Sequence, residues 1–165
     1  MSFIEIVKVI ASISTPVIVA IFGFLFLRRI ESVKAEVAKQ SEFHKKWAEQ
    51  FFGCCQEFMS SIERELAILN FLQGLENPND EFGTELQKEL SRLHPYISEL
   101  ELRIRRSVVF APKKGHSVTQ AANACLVLMG TLVKLGKGSF DEIIEKMNNF
   151  NIAARAAHAE MLGVE

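Results

Sequence analysis

Apolar residues recur at three- and four-residue steps along most of the chain, a spacing typical of amphipathic α-helices. The first stripe predicts one long helix that ends near Gly74 and the sequence ENPND; it comprises Trp47, Phe51, Cys54, Phe58, Ile62, Leu66, Leu69 and Leu72. A second helix is predicted from Glu81 to about Arg106, and Pro95 should kink or divide it. Its stripe comprises Phe82, Leu86, Leu90, Leu93, Ile97, Leu100 and Ile104.

A third helix is predicted to begin at Val118, because Ser117 and Gln120 have the spacing of a capping box. From Ala121 to Val133 this helix is apolar around most of its circumference, but 13 residues are too few to cross a bilayer. We therefore expect it to be the buried centre of a bundle or an oligomer contact.

Ser139 and Glu142 repeat the capping-box spacing and predict the start of a fourth helix. Its apolar stripe comprises Phe140, Ile143, Ile144, Met147, Phe150, Ala154, Ala157 and Met161. Strand-like alternation is confined to the tripeptide VVF at 108–110, so the pattern favours a helical protein.

The N-terminal region contains 19 consecutive uncharged residues, Val9–Leu27, bracketed by Lys8 and by Arg28 and Arg29. A helix of that length covers ~28 Å, close to the hydrocarbon thickness of a membrane. The run is longer than the apolar core of a signal peptide, and a poor cleavage sequence, Arg-Arg-Ile-Glu, follows it. Its few polar residues, Ser12, Ser14 and Thr15, are unlike the polar face of a buried core helix. The pattern predicts a single membrane span.

Basic residues predict the orientation of this span. Only Lys8 precedes it, whereas Arg28, Arg29, Lys34 and Lys39 follow it closely. The positive-inside rule therefore predicts an N-terminus outside the inner (plasma) membrane and residues 28–165 in the cytoplasm. Three cysteines are too few for a disulfide framework, which agrees with a reducing compartment.

The expected fold is all-α: a single N-terminal transmembrane helix that continues into a cytosolic four-helix bundle. We assign residues 1–29 to a short outer tail and the span, 30–46 to a juxtamembrane stalk helix, and 47–165 to the bundle.

Charge is distributed unevenly along the predicted cytosolic part. Residues 31–102 carry 14 acidic and 7 basic side chains, whereas residues 103–140 carry 7 basic side chains and no acidic one. Basic side chains near a helix N-terminus, where backbone N–H groups lack partners, favour a phosphate or carboxylate ligand. The candidate ligand-binding residues are Arg103, Arg105, Arg106, Lys113, Lys114, His116 and Ser117.

Two alternatives stay open for this basic region. Lys137 and Ser139 lie at the far end of the third helix, about 25 Å away at 1.5 Å per residue, so they could complete a site only across a subunit interface. The basic and acidic regions could also complement each other within the bundle and bind no ligand, because exposed ion pairs contribute only about 0–1 kcal/mol each.

Catalytic and cofactor motifs are not found in the sequence. Its four histidines lie on separate segments without metal-ligand spacing, and no phosphate-binding glycine motif or nucleophile elbow occurs. We expect no enzyme activity, metal or cofactor. Trp47, Phe51 and Phe58 could stack on bases, but they lie on the apolar stripe and are expected in the core. No motif for sequence-specific nucleic-acid binding is present.

The span Val9–Leu27 together with the basic stretch RIRRSVVFAPKKGHS, Arg103–Ser117, gives the chain a layout that resembles the small CRISPR-associated membrane effectors. Those proteins bind cyclic oligoadenylate through a soluble domain. The resemblance implies a homo-oligomer that assembles around an anionic cyclic oligonucleotide and then disturbs the lipid bilayer in antiviral defence. The alternative is a membrane-anchored adaptor or scaffold that docks another protein and binds no ligand.

Overall fold

The computed structural model describes residues 3–75, 80–135 and 138–164, and for residues 3–18, 134 and 135 it describes the backbone alone. Four α-helices follow one another: α1 (Phe3–Gly74), α2 (Glu81–Ser107), α3 (Gly115–Leu135) and α4 (Phe140–Leu162). A short 3-10 turn, Val108–Phe110, connects α2 to α3. The described residues form no strand, so the predicted all-α class is confirmed.

Both ends of α2 lie close to the positions that the sequence predicts. The Asp80 side chain caps the first turn by accepting the backbone N–H of Gly83 at 2.6 Å. Pro95 lies inside α2 without dividing it, because the helix continues to Ser107. Of the kink or division expected at Pro95, the division does not occur.

The start of α3 also differs from the prediction, because the helix begins at Gly115 and not at Val118. The backbone N–H groups of Gly115 and Ser117 donate to the carbonyls of Ala111, at 2.7 Å, and of Lys114, at 3.1 Å. A Cβ at Gly115 would lie 2.8 Å from the Cβ of Val108, so the turn packs closely on the first residue of α3. The helix α3 therefore begins three residues earlier than predicted, soon after the 3-10 turn. Ser117 lies inside the helix, so its predicted capping role was wrong.

The start of α4 was predicted correctly, although its cap has a different chemistry. Ser139 is the N-cap residue, but its side chain makes no capping hydrogen bond. The last residue of α4 is Leu162, and Gly163 is its C-cap. Gly163 has a left-handed φ of 68°, and its N–H donates to the carbonyls of Ala159 and Glu160. Glycine adopts this conformation without the strain that a Cβ would introduce.

The chain divides into two compact units, Met1–Phe43 and His44–Glu165, and α1 contributes to both. In the first unit, every described side chain from Val19 to Phe43 is exposed. A search of the described residues finds no helix with both the length and the hydropathy that a membrane span requires. The predicted span at 9–27 lies partly outside those residues, because the side chains of 9–18 are not described.

The second unit is an up-and-down bundle of the C-terminal part of α1 with α2, α3 and α4. Glu57 of α1 contacts Tyr96 of α2, whereas Glu65 contacts His94, so the two helices run antiparallel. Ring contacts between α1 and α4 give the same relation; the pairs are Phe52 with His158 and Phe58 with Phe150. The start of α3 lies beside the end of α4, since Glu160 contacts the backbone of residues 113 and 114.

One hydrophobic core joins the four helices. Its largest fully buried hydrophobic side chains are Phe51, Phe58, Phe150, Ile62, Ile97, Leu100, Ile104, Met129 and Ile143. The predicted core positions of Phe51 and Phe58 are therefore confirmed, whereas Trp47 is only half-buried. In α3, Val118, Cys125 and Met129 are buried but Val127 is 58% exposed, so this apolar helix is covered on one side and is not the enclosed centre of the bundle.

Candidate functional site

The seven residues predicted to bind an anion lie in three separate environments. Arg105, on α2, pairs with Glu101 one turn earlier; its Nε and Nη2 atoms lie 3.1 and 2.7 Å from Oε1 of that carboxylate. Glu101 is almost fully buried, so the guanidinium compensates a charge that water does not reach. Arg105 therefore has a structural role.

Arg103 and Arg106 lie together, at the wall of a groove of about 550 Å³ between α1 and α2. They are three residues apart on the last turns of α2 and so project from one face of that helix. Neither forms an ion pair in the part of the chain that the structure describes. This groove, which we call the arginine groove, is also lined by Trp47, Gln50, Gly53, Cys54, Glu57 and Ser107.

Trp47 is the aromatic residue among those that line the arginine groove. The indole of Trp47 lies beside the ring of Phe110, with their centroids 4.9 Å apart and their planes at 37°. The ring of Phe110 also meets His44 edge-on, at 6.5 Å. Phe110 is the last residue of the 3-10 turn, so this turn contacts the aromatic residue that lines the groove.

Glu57 and Cys54 form the side of the groove opposite Arg103. The hydroxyl of Tyr96 donates to the carboxylate of Glu57, and this hydrogen bond raises the pKa of Tyr96. Burial raises the pKa of the Cys54 thiol, although the positive charge of Arg103 opposes that effect. A protonated thiol is a poor nucleophile, so this shift gives Cys54 no enhanced reactivity.

Lys113, Lys114, His116 and Ser117 lie away from the groove, around the first turn of α3. The backbone N–H groups of Lys113 and Lys114 donate to Oε1 and Oε2 of Glu160, at 3.0 and 2.8 Å. A carboxylate of the protein's own α4 thus occupies the position at which the sequence predicted an external anion. The side chains of all four residues are exposed.

The second predicted anion position, before α4, is described only in part. Ser139 is exposed at the N-cap, and Lys137 lies outside the described residues. The described residues also contain no group of three or more side chains arranged to hold a metal ion.

Of the seven candidate ligand-binding residues, Arg103 and Arg106 line the arginine groove. Gln50 and Glu57 line it as well, and the sequence did not single them out. Trp47 begins the apolar stripe of α1, which predicts a core position, but the residue is only half-buried. One signal could have indicated otherwise: Trp47 directly follows the polar segment at 39–46, so its neighbours on that side are exposed.

No protein-family model, curated protein or solved structure matches this chain.

Proposed function

We propose that this chain is a single-span inner-membrane protein whose cytoplasmic helical domain binds an anionic nucleotide messenger and acts on the membrane by oligomerisation. The layout shared with CRISPR-associated effectors supports a cyclic oligonucleotide as the messenger and antiviral defence as the setting. The ligand contacts that we propose are Arg103 and Arg106 of the arginine groove.

The observation that carries the proposal is the exposed apolar surface of α1 at residues 19–27. Phe24, Phe26 and Leu27 are 65%, 70% and 62% exposed. Successive residues of a helix point about 100° apart, so this apolar surface surrounds the helix and does not form a single stripe. Exposing it to water costs about 25 cal/mol for each Å². A lipid bilayer would cover it on all sides, and Arg28 and Arg29 would lie at the lipid headgroups.

The arginine groove supports the ligand part of the proposal. Two guanidiniums that form no ion pair with any described residue provide charge and directed N–H donors for a phosphate. Trp47 provides an aromatic wall on which a base could stack, and Gln50 provides an amide that could hydrogen-bond to its edge. These groups have the chemistry that a nucleotide requires.

Membrane insertion is tested first, by carbonate extraction of membranes from cells that express the full chain. We expect wild-type protein to remain in the membrane pellet and a Phe24→Asp/Phe26→Asp variant to be released. A matched Val33→Asp/Val37→Asp variant, which changes exposed residues after the run, should stay in the pellet. Release of the wild type by carbonate would overturn the anchor.

Ligand binding is tested by thermal unfolding of the full chain in detergent micelles, with cyclic and linear oligoadenylates as probes and AMP as the mononucleotide. A ligand at 100 times its Kd should add about 2.7 kcal/mol to the free energy of unfolding. The Arg103→Gln/Arg106→Gln variant should lose most of that gain, whereas Arg92→Gln, a change of an exposed arginine on α2, should keep it. Equal gains in both variants would exclude the groove.

A second candidate function, a membrane-anchored adaptor without a ligand, is favoured by a different surface of the bundle. Phe71 and Phe82 are 62% and 53% exposed and meet edge-on, with their centroids 6.2 Å apart. They line a groove of about 340 Å³ with Ile68 and Leu86. Such a surface suits an apolar side chain of a partner protein. If no anion changes the unfolding temperature, the adaptor becomes the favoured function.

A further inference from the structure

Gly53 occupies an interior position of α1, where glycine is the poorest helix former after proline. Without a Cβ, glycine allows another group to approach the helix backbone closely. A Cβ built at Gly53 meets no atom within 4 Å. At Gly115, by contrast, a Cβ would lie 2.8 Å from Val108. The packing of the chain therefore requires a glycine at 115 but not at 53.

The position of Gly53 in the arginine groove provides a reason for a glycine at this residue. Gln50 precedes it by three residues and Glu57 follows it by four, so all three lie on one face of α1 and line the groove. Any side chain at position 53 would extend into the space that separates α1 from Arg103 and Arg106. The glycine keeps a strip of α1 backbone open between Trp47 and Glu57.

We propose that Gly53 is the point at which a planar ring of the ligand lies against the backbone of α1. The phosphate of that ligand binds Arg103 and Arg106, and its ring lies over Gly53 beside the indole of Trp47. A phosphate ester that carries an aromatic base fits this arrangement, whereas the same phosphate without a base leaves the strip uncovered. This inference rests on the proposed binding of an anionic nucleotide in the groove.

The test compares AMP with ribose 5-phosphate, which has the sugar and the phosphate but no base, by titration of the full chain in micelles. Wild-type protein should bind AMP at least tenfold more tightly than ribose 5-phosphate. The Gly53→Leu variant fills the strip, so it should lose that preference and keep an affinity for ribose 5-phosphate within about twofold of wild type.

Matched alanine variants separate this effect from helix stability. Gly130, in the interior of α3, also has no atom within 4 Å of a Cβ, and it does not line the groove. Gly53→Ala and Gly130→Ala should each raise Tm by about 2–4 °C, because alanine favours the helix. Only Gly53→Ala should weaken AMP binding.

The outcomes distinguish this inference from the function on which it rests. If Gly53→Leu binds AMP as tightly as wild type, the role of Gly53 is overturned and the groove remains the binding site. If wild-type protein binds neither probe at millimolar concentration, nucleotide binding in the groove fails and the role of Gly53 fails with it.

Discussion

Nδ1 of His94, on α2, lies 2.9 Å from Oε1 of Glu65, on α1, and joins the two helices inside the bundle. The Glu65 carboxyl is fully buried, and its Oε2 has no hydrogen-bond partner among the described residues. Burial raises the pKa of Glu65, and the His94 ring opposes this effect by its charge and its hydrogen bond. A buried carboxylate with half of its hydrogen-bonding capacity unused is costly, so this contact should respond to pH.

Replacing Glu65 by Gln should change how stability depends on pH. A raised pKa means that the native state holds the proton of Glu65 more tightly than the unfolded chain does. The stability that protonated Glu65 contributes is fully present below pH 4.5, the ordinary pKa of a glutamate. This stability is lost as the pH rises through the higher pKa of Glu65 in the folded state. The free energy of unfolding of Glu65→Gln should therefore rise relative to wild type above pH 4.5, as measured by urea unfolding from pH 4.5 to 8. Glu63→Gln, at an exposed position of α1, is the control and should follow the wild-type profile.

Neutralising Arg105 should reduce stability more than neutralising Arg103 or Arg106. Arg105→Gln leaves the buried Glu101 without its partner and should cost about 1–3 kcal/mol in chemical unfolding. Arg103→Gln and Arg106→Gln remove exposed cations that pair with no carboxylate among the described residues, and should cost less than about 0.5 kcal/mol each. A larger loss at Arg103 than at Arg105 would contradict the structural role of Arg105.

Glu160→Ala should destabilise the junction of α3 and α4. The variant removes the acceptor of two backbone N–H groups at the start of α3, an interaction equivalent to a helix cap. We expect a loss of about 1 kcal/mol and faster amide hydrogen exchange at Lys113 and Lys114. Glu145→Ala, at a largely exposed position of α4, serves for comparison and should leave both exchange rates unchanged.

Phe58→Ala should be among the most destabilising substitutions in the bundle. Phe58 is fully buried, and its ring lies 5.0 Å from that of Phe150 on α4. Loss of a buried phenyl ring costs about 3–5 kcal/mol, because a cavity remains after the ring is removed. The change is measured by urea unfolding beside Phe71→Ala, where the ring is 62% exposed and a loss below about 1 kcal/mol is expected.

The sequence by itself determined the helices, because the repeat of apolar residues reflects the geometry of each helix and needs no knowledge of its neighbours. It located the end of α1, both ends of α2 and the start of α4, and it placed Phe51 and Phe58 in the core. The sequence did not predict the start of α3, because that boundary depends on the close packing of Val108 against Gly115.

Only the tertiary structure decided which charges are available to a ligand. The sequence alone does not distinguish Arg103, Arg105 and Arg106. In the structure, Arg105 pairs with Glu101, whereas Arg103 and Arg106 line the groove. Glu160 is 46 residues from Lys114, and the antiparallel packing of α3 and α4 brings its carboxylate onto the first turn of α3. A charge pattern gives the sign of a surface, but partners distant in sequence decide whether each charge is already neutralised, and that depends on how the helices pack.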